Sequence, residues 1–390
     1  MANSPRRLLM VVHSEYPVGE PRVRRQAEAA AAADWRVEVL ALATEGRPSV
    51  EECCGVTVRR TRVRRVRSMT MTGLLSEYGR FFWAAATRCV RAPRYDVVVI
   101  ANPPDFLVYA PLAQRLRGAR VILDVHDLMT DLFAVRLGAG PSDPRYRLLG
   151  WLERLCARYA DRVMTVHAPY AQEISRRSAG RVQATVVMNS ADDALFPART
   201  EAPSGACLFF YHGSLFERYG VLDLLEAFTA VRSEVGDARL WLAGDGDARA
   251  DLLREMERQG LGDSVWISDG MLPAEEIREL LPQAHIGVIP NQPNDLNKYA
   301  LSTKLFEYVA TGVPVVCAGL STLRAHFADD ELLFYQPGNV EDLADKLLWA
   351  AQHPDAMRER AERASALYTT EYSWPRQKAV FLDLLSSCLR

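Results

Sequence analysis

Residues Tyr299–Pro314 read YALSTKLFEYVATGVP. Ser302 or Thr303 is placed to cap a helix over Thr303–Ala310, and Gly312-Val313-Pro314 ends it and re-enters the apolar run Val313–Cys317. A helix handed directly to a short apolar run is the unit of an α/β fold. Working back from it, Cys207–Tyr211, Leu240–Ala243, Val265–Ser268 and Ile286–Ile289 read as buried strands, and Leu333–Tyr335 follows. Helical spacing separates them at Val221–Glu234, Arg249–Gln259, Pro273–Leu281 and Val340–Ala351. The same alternation runs through the first half: strands at Leu8–Val12, Val37–Leu42, Val56–Val58, Val97–Ile100, Val121–Leu123, Val163–Val166 and Val186–Met188, with helices such as Pro21–Ala33 and Arg145–Tyr159. Continuous apolar strands joined by helical crossovers predict parallel sheets covered on both faces. The turn-rich stretch Asp192–Gly205 separates the two series. The expectation is two Rossmann-like, doubly wound α/β domains, 1–196 and 197–373, facing a central cleft. Ligands would then sit beyond the carboxyl ends of the strands.

The chain has 390 residues, 49% of them hydrophobic and 25% charged, which is ordinary globular composition and excludes disorder or a disulfide scaffold. A net charge of −2 gives no overall field for nucleic acid. The 7 cysteines show no CxxC spacing, which argues against a zinc site. Arg6 and Arg7 precede an apolar run that His13-Ser14-Glu15 cuts short of a signal-peptide core, and no run reaches bilayer length. These features predict a cytoplasmic protein without a zinc site.

A helix N-terminus after a strand binds anions through unpaired N–H groups and its dipole. Lys304 sits in that first turn, unfavourably for the helix alone, so an anionic ligand would compensate it. Glu307, one turn on, can accept from a ribose diol; the plain alternative is a solvated lysine and a surface glutamate.

The string STKLFEYVATGVPVV resembles the nucleotide-binding signature of the retaining glycosyltransferases of family 4, which have the GT-B fold. Gly213-Ser214-Leu215 through Arg218-Tyr219-Gly220-Val221 resembles the family's glycine-rich segment after the first strand of the second domain. Leu242-Ala243-Gly244-Asp245-Gly246 resembles its Gly-x-Gly turn, and Met188–Asp192 with Phe196-Pro197 the segment closing the first domain. The resemblance implies a donor site formed by Gly19, Gly213, Ser214, Arg218, Gly244, Gly246, Ser302, Thr303, Lys304, Leu305 and Glu307. Arg218 and Lys304 would stabilise the leaving diphosphate. Two departures stand out. Tyr299 replaces the first of the family's two glutamates, a contact that passes to amides around Ala300–Ser302, and Ser214 replaces its arginine.

In the first half, the resemblance places His126, at the end of Val121–Val125, beside the donor sugar or acceptor. Tyr16, Asn102, Asp127 and Asp131 are acceptor candidates; Asp127 and Asp131 equally suit caps, and Asn102 a turn. The loop His13–Arg22 would cover the reaction centre, with Arg22 contacting phosphates or pairing with Glu20. Arg59–Arg67, flanked by Leu74, Phe81, Phe82 and Trp83, is either a peripheral membrane patch or a solvated strand edge. The tail from Trp374 to Arg390 would cross back to the first domain.

The expected function is transfer, with retention and without metal, from a nucleotide-diphosphate sugar (UDP favoured, GDP possible) to a hydroxyl of a small-molecule or lipid-linked acceptor. The alternatives are a nucleotide-sugar epimerase on the same fold and a non-catalytic nucleotide-sugar-binding subunit.

Overall fold

The computed structural model describes residues 5–17, 19–65, 70–138, 140–294, 299 and 301–389. It falls into two units, Met1–Asn189 with Gln377–Arg390, and Ser190–Arg376.

Among the described residues the first unit carries eight strands: β1 (Arg7–Val12), β2 (Arg36–Ala41), β3 (Val50–Cys53), β4 (Val56–Arg60), β5 (Val97–Ala101), β6 (Arg120–Val125), β7 (Arg162–Thr165) and β8 (Ala184–Val186). They lie in the order β3-β4-β2-β1-β5-β6-β7-β8. All neighbours are parallel except β3 and β4, an antiparallel pair turning at Cys54 and Gly55, both at positive φ (52° and 77°). Helix α1 (Pro21–Ala32) follows β1, and α2 (Met71–Arg91) returns the chain from β4 to β5. Then come α3 (Leu112–Leu116), α4 (Met129–Leu137), α5 (Pro144–Tyr159) and α6 (Ala168–Arg177). Chain direction across the sheet reverses at β1, so right-handed crossovers put α2 through α6 on the face opposite α1. One core joins Leu8, Met10 and Val12 of β1 to Val23, Ala27 and Ala30 of α1. Phe381, Leu384 and Leu385 of the chain's last helix complete that core.

The second unit's strands are β9 (Cys207–His212), β10 (Ala238–Ala243), β11 (Val265–Ile267), β12 (Ile286–Ile289), β13 (Val315–Ala318) and β14 (Leu333–Tyr335). Their order is β11-β10-β9-β12-β13-β14, every described pairing being parallel. Its helices are α7 (Val221–Val235), α8 (Arg249–Arg258), α9 (Ala274–Leu280), α10 (Thr303–Thr311), α11 (Ser321–Arg324), α12 (Val340–Gln352) and α13 (Pro354–Leu367), with α14 (Trp374–Ser387) leading out. The order reverses between β9 and β12, which marks the carboxyl ends of those strands as the switch point of this sheet.

Sequence reading misses β3 and α2. The β3 sequence, Val-Glu-Glu-Cys, lies on an exposed edge and shows no apolar run. The α2 stripe is broken by a buried charge, Glu77, amid Tyr78, Phe81, Ala85 and Cys89. The division between units comes before Ser190 because the segment after it is tied to the second unit: Tyr368 Oη bonds Ser190 at 3.0 Å and Asp193 at 2.5 Å. From Gln377 the chain rejoins the first unit, where the Gln377 side chain accepts the Met188 amide at 2.8 Å.

Candidate active site

The β9 strand ends in His212, and Gly213 follows at φ +108°, a conformation glycine adopts without penalty. A Cβ on Gly213 would stand 3.2 Å from Lys304 Nζ. Gly244 and Gly246, after β10, pass so close to the backbone carbonyls of Gly213 and Leu215 that neither could carry a side chain without moving them. Their glycine identity therefore has a steric cause, the crossing of two loops backbone to backbone.

Helix α10 begins at Thr303, with Ser302 as the residue before it; the Ser302 side chain makes no capping bond. Its first turn delivers Lys304, whose ammonium lies 3.9 Å from the centroid of the Tyr211 ring and 5.6 Å from that of Tyr219. A cation over an aromatic face is attracted by the ring quadrupole, but receives no proton acceptor from it. Burial lowers the Lys304 ammonium to about 7, with Glu307 pulling it back up. Glu307 Oε2 lies 3.3 Å from Nε2 of His212, whose ring stacks on Phe210. Burial, then the Lys304 charge, lowers His212 to about 3, so the imidazole is neutral at pH 7. Arg218 stands in a 3-10 turn, Glu217–Tyr219, with its guanidinium 4.3 Å from the Phe216 ring centroid and 4.8 Å from that of Tyr219. Tyr211 Oη donates to the Ser214 carbonyl at 2.7 Å, fixing the turn. Lys304, Gly213, Glu307 and His212 thus converge at the carboxyl end of β9.

Leu305 does not join them. Its side chain is fully buried in the core, and its amide bonds the Ser302 carbonyl at 3.1 Å. Tyr299 is described, whereas Ala300 lies outside the described residues.

In the first unit, Gly19 closes a tight turn by donating to the Glu15 carbonyl at 2.8 Å. His126 follows β6 with Nε2 2.9 Å from Asp124 Oδ2 and Nδ1 3.7 Å from Glu20 Oε2. Burial alone would lower its imidazole; the Asp124 carboxylate outweighs that and the net displacement is upward. Asp124 is itself buried, and burial would raise its carboxyl. The Arg22 and His126 charges instead hold it well below the usual carboxylate range.

Several acceptor candidates prove to be internal. Tyr16 is part of the core, its carbonyl accepting from Arg60 at 2.9 Å. Asn102 is buried with both ends of its amide occupied: Oδ1 accepts the His126 amide at 2.6 Å, and Nδ2 donates to Asp105 and to the Asp127 carbonyl, both at 2.7 Å. Asp131 is bound by Arg177 at 2.6 Å. These groups satisfy one another because buried polar atoms need partners. Asp127 stays exposed. Arg22 turns to Asp124 rather than to Glu20: it grips Asp124 through two bonds of 3.0 and 2.8 Å and donates to the Val187 carbonyl. The arginine run divides too. Arg60 is buried, bonding Glu51 at 2.7 Å, and Arg59 faces Glu38 at 3.3 Å. Arg62, Arg64 and Arg65 are exposed, and Arg67 lies outside the described residues.

Sequence reading passed over His212 and Asp124. Each is a polar residue inside an otherwise apolar strand, in Cys207–His212 and Arg120–Val125, and that interruption was the available signal.

Two family models meet this geometry. Residues 19–190 match the glycosyl transferase 4-like domain, and residues 206–353 match glycosyl transferases group 1. Both halves of the chain thus match glycosyltransferase domains, and the protein is a glycosyltransferase. Among curated glycosyltransferases, the alpha-D-kanosaminyltransferase of Streptomyces kanamyceticus is 24% identical over 280 residues, 68% of this chain and 70% of that one. Sulfoquinovosyl transferase SQD2 of Arabidopsis thaliana is 27% identical over 161 residues, 40% of this chain but 29% of its own length. Among solved structures, sucrose-phosphate synthase of Thermosynechococcus elongatus superposes with a TM-score of 0.76 at 18% identity, over 98% of each chain. Anabaena HepE, solved in complex with UDP, gives 0.69 at 14% identity over 98% of this chain and 100% of that one. This glycosyltransferase therefore has the GT-B fold, as the resemblance implied. Among its described residues no three His, Cys, Asp or Glu side chains are grouped to hold a metal ion, and no helix is long and apolar enough to cross a membrane.

Proposed function

We propose that this glycosyltransferase transfers a sugar, with retention and without a metal ion, from a UDP-sugar to a hydroxyl of a small-molecule or lipid-linked acceptor. The observation that carries the reading is Lys304: a half-buried ammonium at a sheet switch point that makes no hydrogen bond among the described residues. A diphosphate supplies the acceptors that the Tyr211 ring cannot. As the bond from anomeric carbon to diphosphate breaks, negative charge grows on the leaving oxygen, and Lys304 and Arg218 stabilise it from fixed positions. Glu307, held against neutral His212, accepts from the ribose hydroxyls. The acceptor hydroxyl attacks from the face the diphosphate leaves and passes its proton to the departing diphosphate oxygen, so no protein nucleophile is required. His126, held by Asp124, donates to the sugar or the acceptor. UDP is favoured because HepE, of the same fold, was solved with UDP and with UDP-glucose; GDP is the competing base.

Thermal unfolding with UDP, GDP, TDP or ADP in the presence of a chelator tests this. A ligand that binds only the folded protein adds about 2.7 kcal/mol at a hundred times its Kd. A shift selective for UDP supports the reading; a response to GDP alone transfers it to GDP-sugars, and none at all removes the donor site. His126→Ala should keep the UDP shift and lose transfer; retained transfer would return His126 to a structural part.

A further inference from the structure

The layer of helices α2 through α6 should present a polar outer surface. It does not. Leu75 and Trp83 of α2 are 52% and 69% exposed, and Leu148 and Trp151 of α5 are 56% and 50% exposed. Two exposed tryptophans on helices of one layer are unusual, because such rings normally supply core area. The two helices are joined beneath this surface. Leu74 and Leu149, each adjacent in sequence to an exposed leucine, pack against one cluster of Tyr78, Met129 and Phe133. Phe82, beside Trp83, meets Phe106 of the intervening turn at 6.0 Å between ring centroids. The exposed apolar residues therefore stand on two helices that are anchored to one cluster of the first unit.

Its charge has a single sign. The acidic residues of α2 and α5 are Glu77 and Glu153, and both are buried: Glu77 faces His13 at 3.0 Å, and Glu153 faces Arg177 at 3.0 Å. The exposed charges are arginines. Arg147, Arg154 and Arg158 recur at helical spacing around Leu148 and Trp151, so they share that face of α5. Arg80 occupies the corresponding side of α2, three residues before Trp83. None of these four is paired with a carboxylate among the described residues.

We infer that the outer face of α2 and α5 docks this enzyme on an anionic membrane surface, with Trp83, Trp151, Leu75 and Leu148 entering the headgroup region and the arginines holding acidic lipids. Amphipathic helices bearing Trp and Leu between basic residues lie in that interface at a depth of about 5–10 Å. Charge complementarity selects this occupant over a second copy of the chain, since these two helices expose no carboxylate to meet a second copy's arginines. The surface is distinct from the arginine run Arg59–Arg65, two of whose members are tied into β-strand ion pairs. It asks nothing of the donor site, so the two readings fail separately.

Flotation of the full chain with vesicles of phosphatidylcholine alone, and of phosphatidylcholine mixed with phosphatidylglycerol, tests the inference. The expected result is binding to the anionic vesicles only, weakened by salt. Replacing both Trp83→Ala and Trp151→Ala should lower partitioning roughly tenfold while the thermal shift with nucleotide stays as in the parent. Replacing Arg147, Arg154 and Arg158 with Gln should remove most of the salt dependence. In the unsubstituted chain, tryptophan emission should be quenched by brominated lipid in the anionic vesicles, a readout that requires no variant to fold. No binding to anionic vesicles, or binding unchanged in both variants, overturns the proposal. So does concentration-dependent self-association that the tryptophan substitutions abolish, which would assign the face to a second copy.

Discussion

The strand ends after β9 and after β6 each pair a histidine with a carboxylate, yet they charge it oppositely. His212 beside Glu307 is lowered to about 3, by burial first and by the Lys304 ammonium second. His126 overcomes its burial because Asp124 lies at 2.9 Å, and its imidazole is raised. In the second unit the positive charge is thus carried by Lys304, over aromatic rings that leave its hydrogens without acceptors. In the first unit the positive charge of Arg22 and His126 is met internally by Asp124. One corner leaves a cation without a counter-charge in hydrogen-bond contact; the other sets its cations against a buried carboxylate. A polar residue at a strand end identifies a site only when its bonding capacity is left over, and Asn102, with both ends of its amide occupied, shows how a plausible ligand contact becomes scaffold.

The contrast is most exposed to failure at Asp124. Asp124→Ala leaves Arg22 buried without its counter-charge, and loss of one partner from such a pair costs about 3–5 kcal/mol. Denaturant unfolding should show that loss; a cost near zero would mean that the first unit does not depend on its internal charges. Lys304→Ala should lower kcat by about 10²–10³ with little change in unfolding, and steady-state kinetics with the identified donor reads it. Wild-type kcat in that variant would erase the difference between the two corners. The smallest effect sharpens the comparison. A diphosphate prefers the charged ammonium, so UDP affinity should fall as pH rises above about 7, where Lys304 titrates. The limit is about tenfold per pH unit. Isothermal titration from about pH 7 to about pH 9 should show this slope in the wild type and a flat profile in Lys304→Arg. A flat wild-type profile would mean that the ammonium is not the titrating partner of the ligand.

How much was legible followed the same division. The parallel sheets announced themselves because strands buried on both faces must be continuously apolar, as Val97–Ala101 is. Gly213, Lys304 and Glu307 were legible because a helix start and a close backbone approach restrict residue type locally. The fates of Asn102, Asp131 and Arg22 were not, since each depends on a partner far along the chain: Asp131 on Arg177, Arg22 on Asp124. The α2 helix was obscured by Glu77, a buried charge that makes sense only once His13 stands opposite it. Leu305 was assigned to the donor by its place in a motif, although its apolar side chain already indicated the core.

The first unit is interrupted in the chain: its core is completed by Phe381, Leu384 and Leu385, which follow the whole of Ser190–Arg376. During synthesis the face of the sheet that those residues cover waits while the second unit emerges. At typical elongation rates that interval is on the order of ten to forty seconds. The nascent chain thus carries this core unsealed long after the strands that form it have left the ribosome.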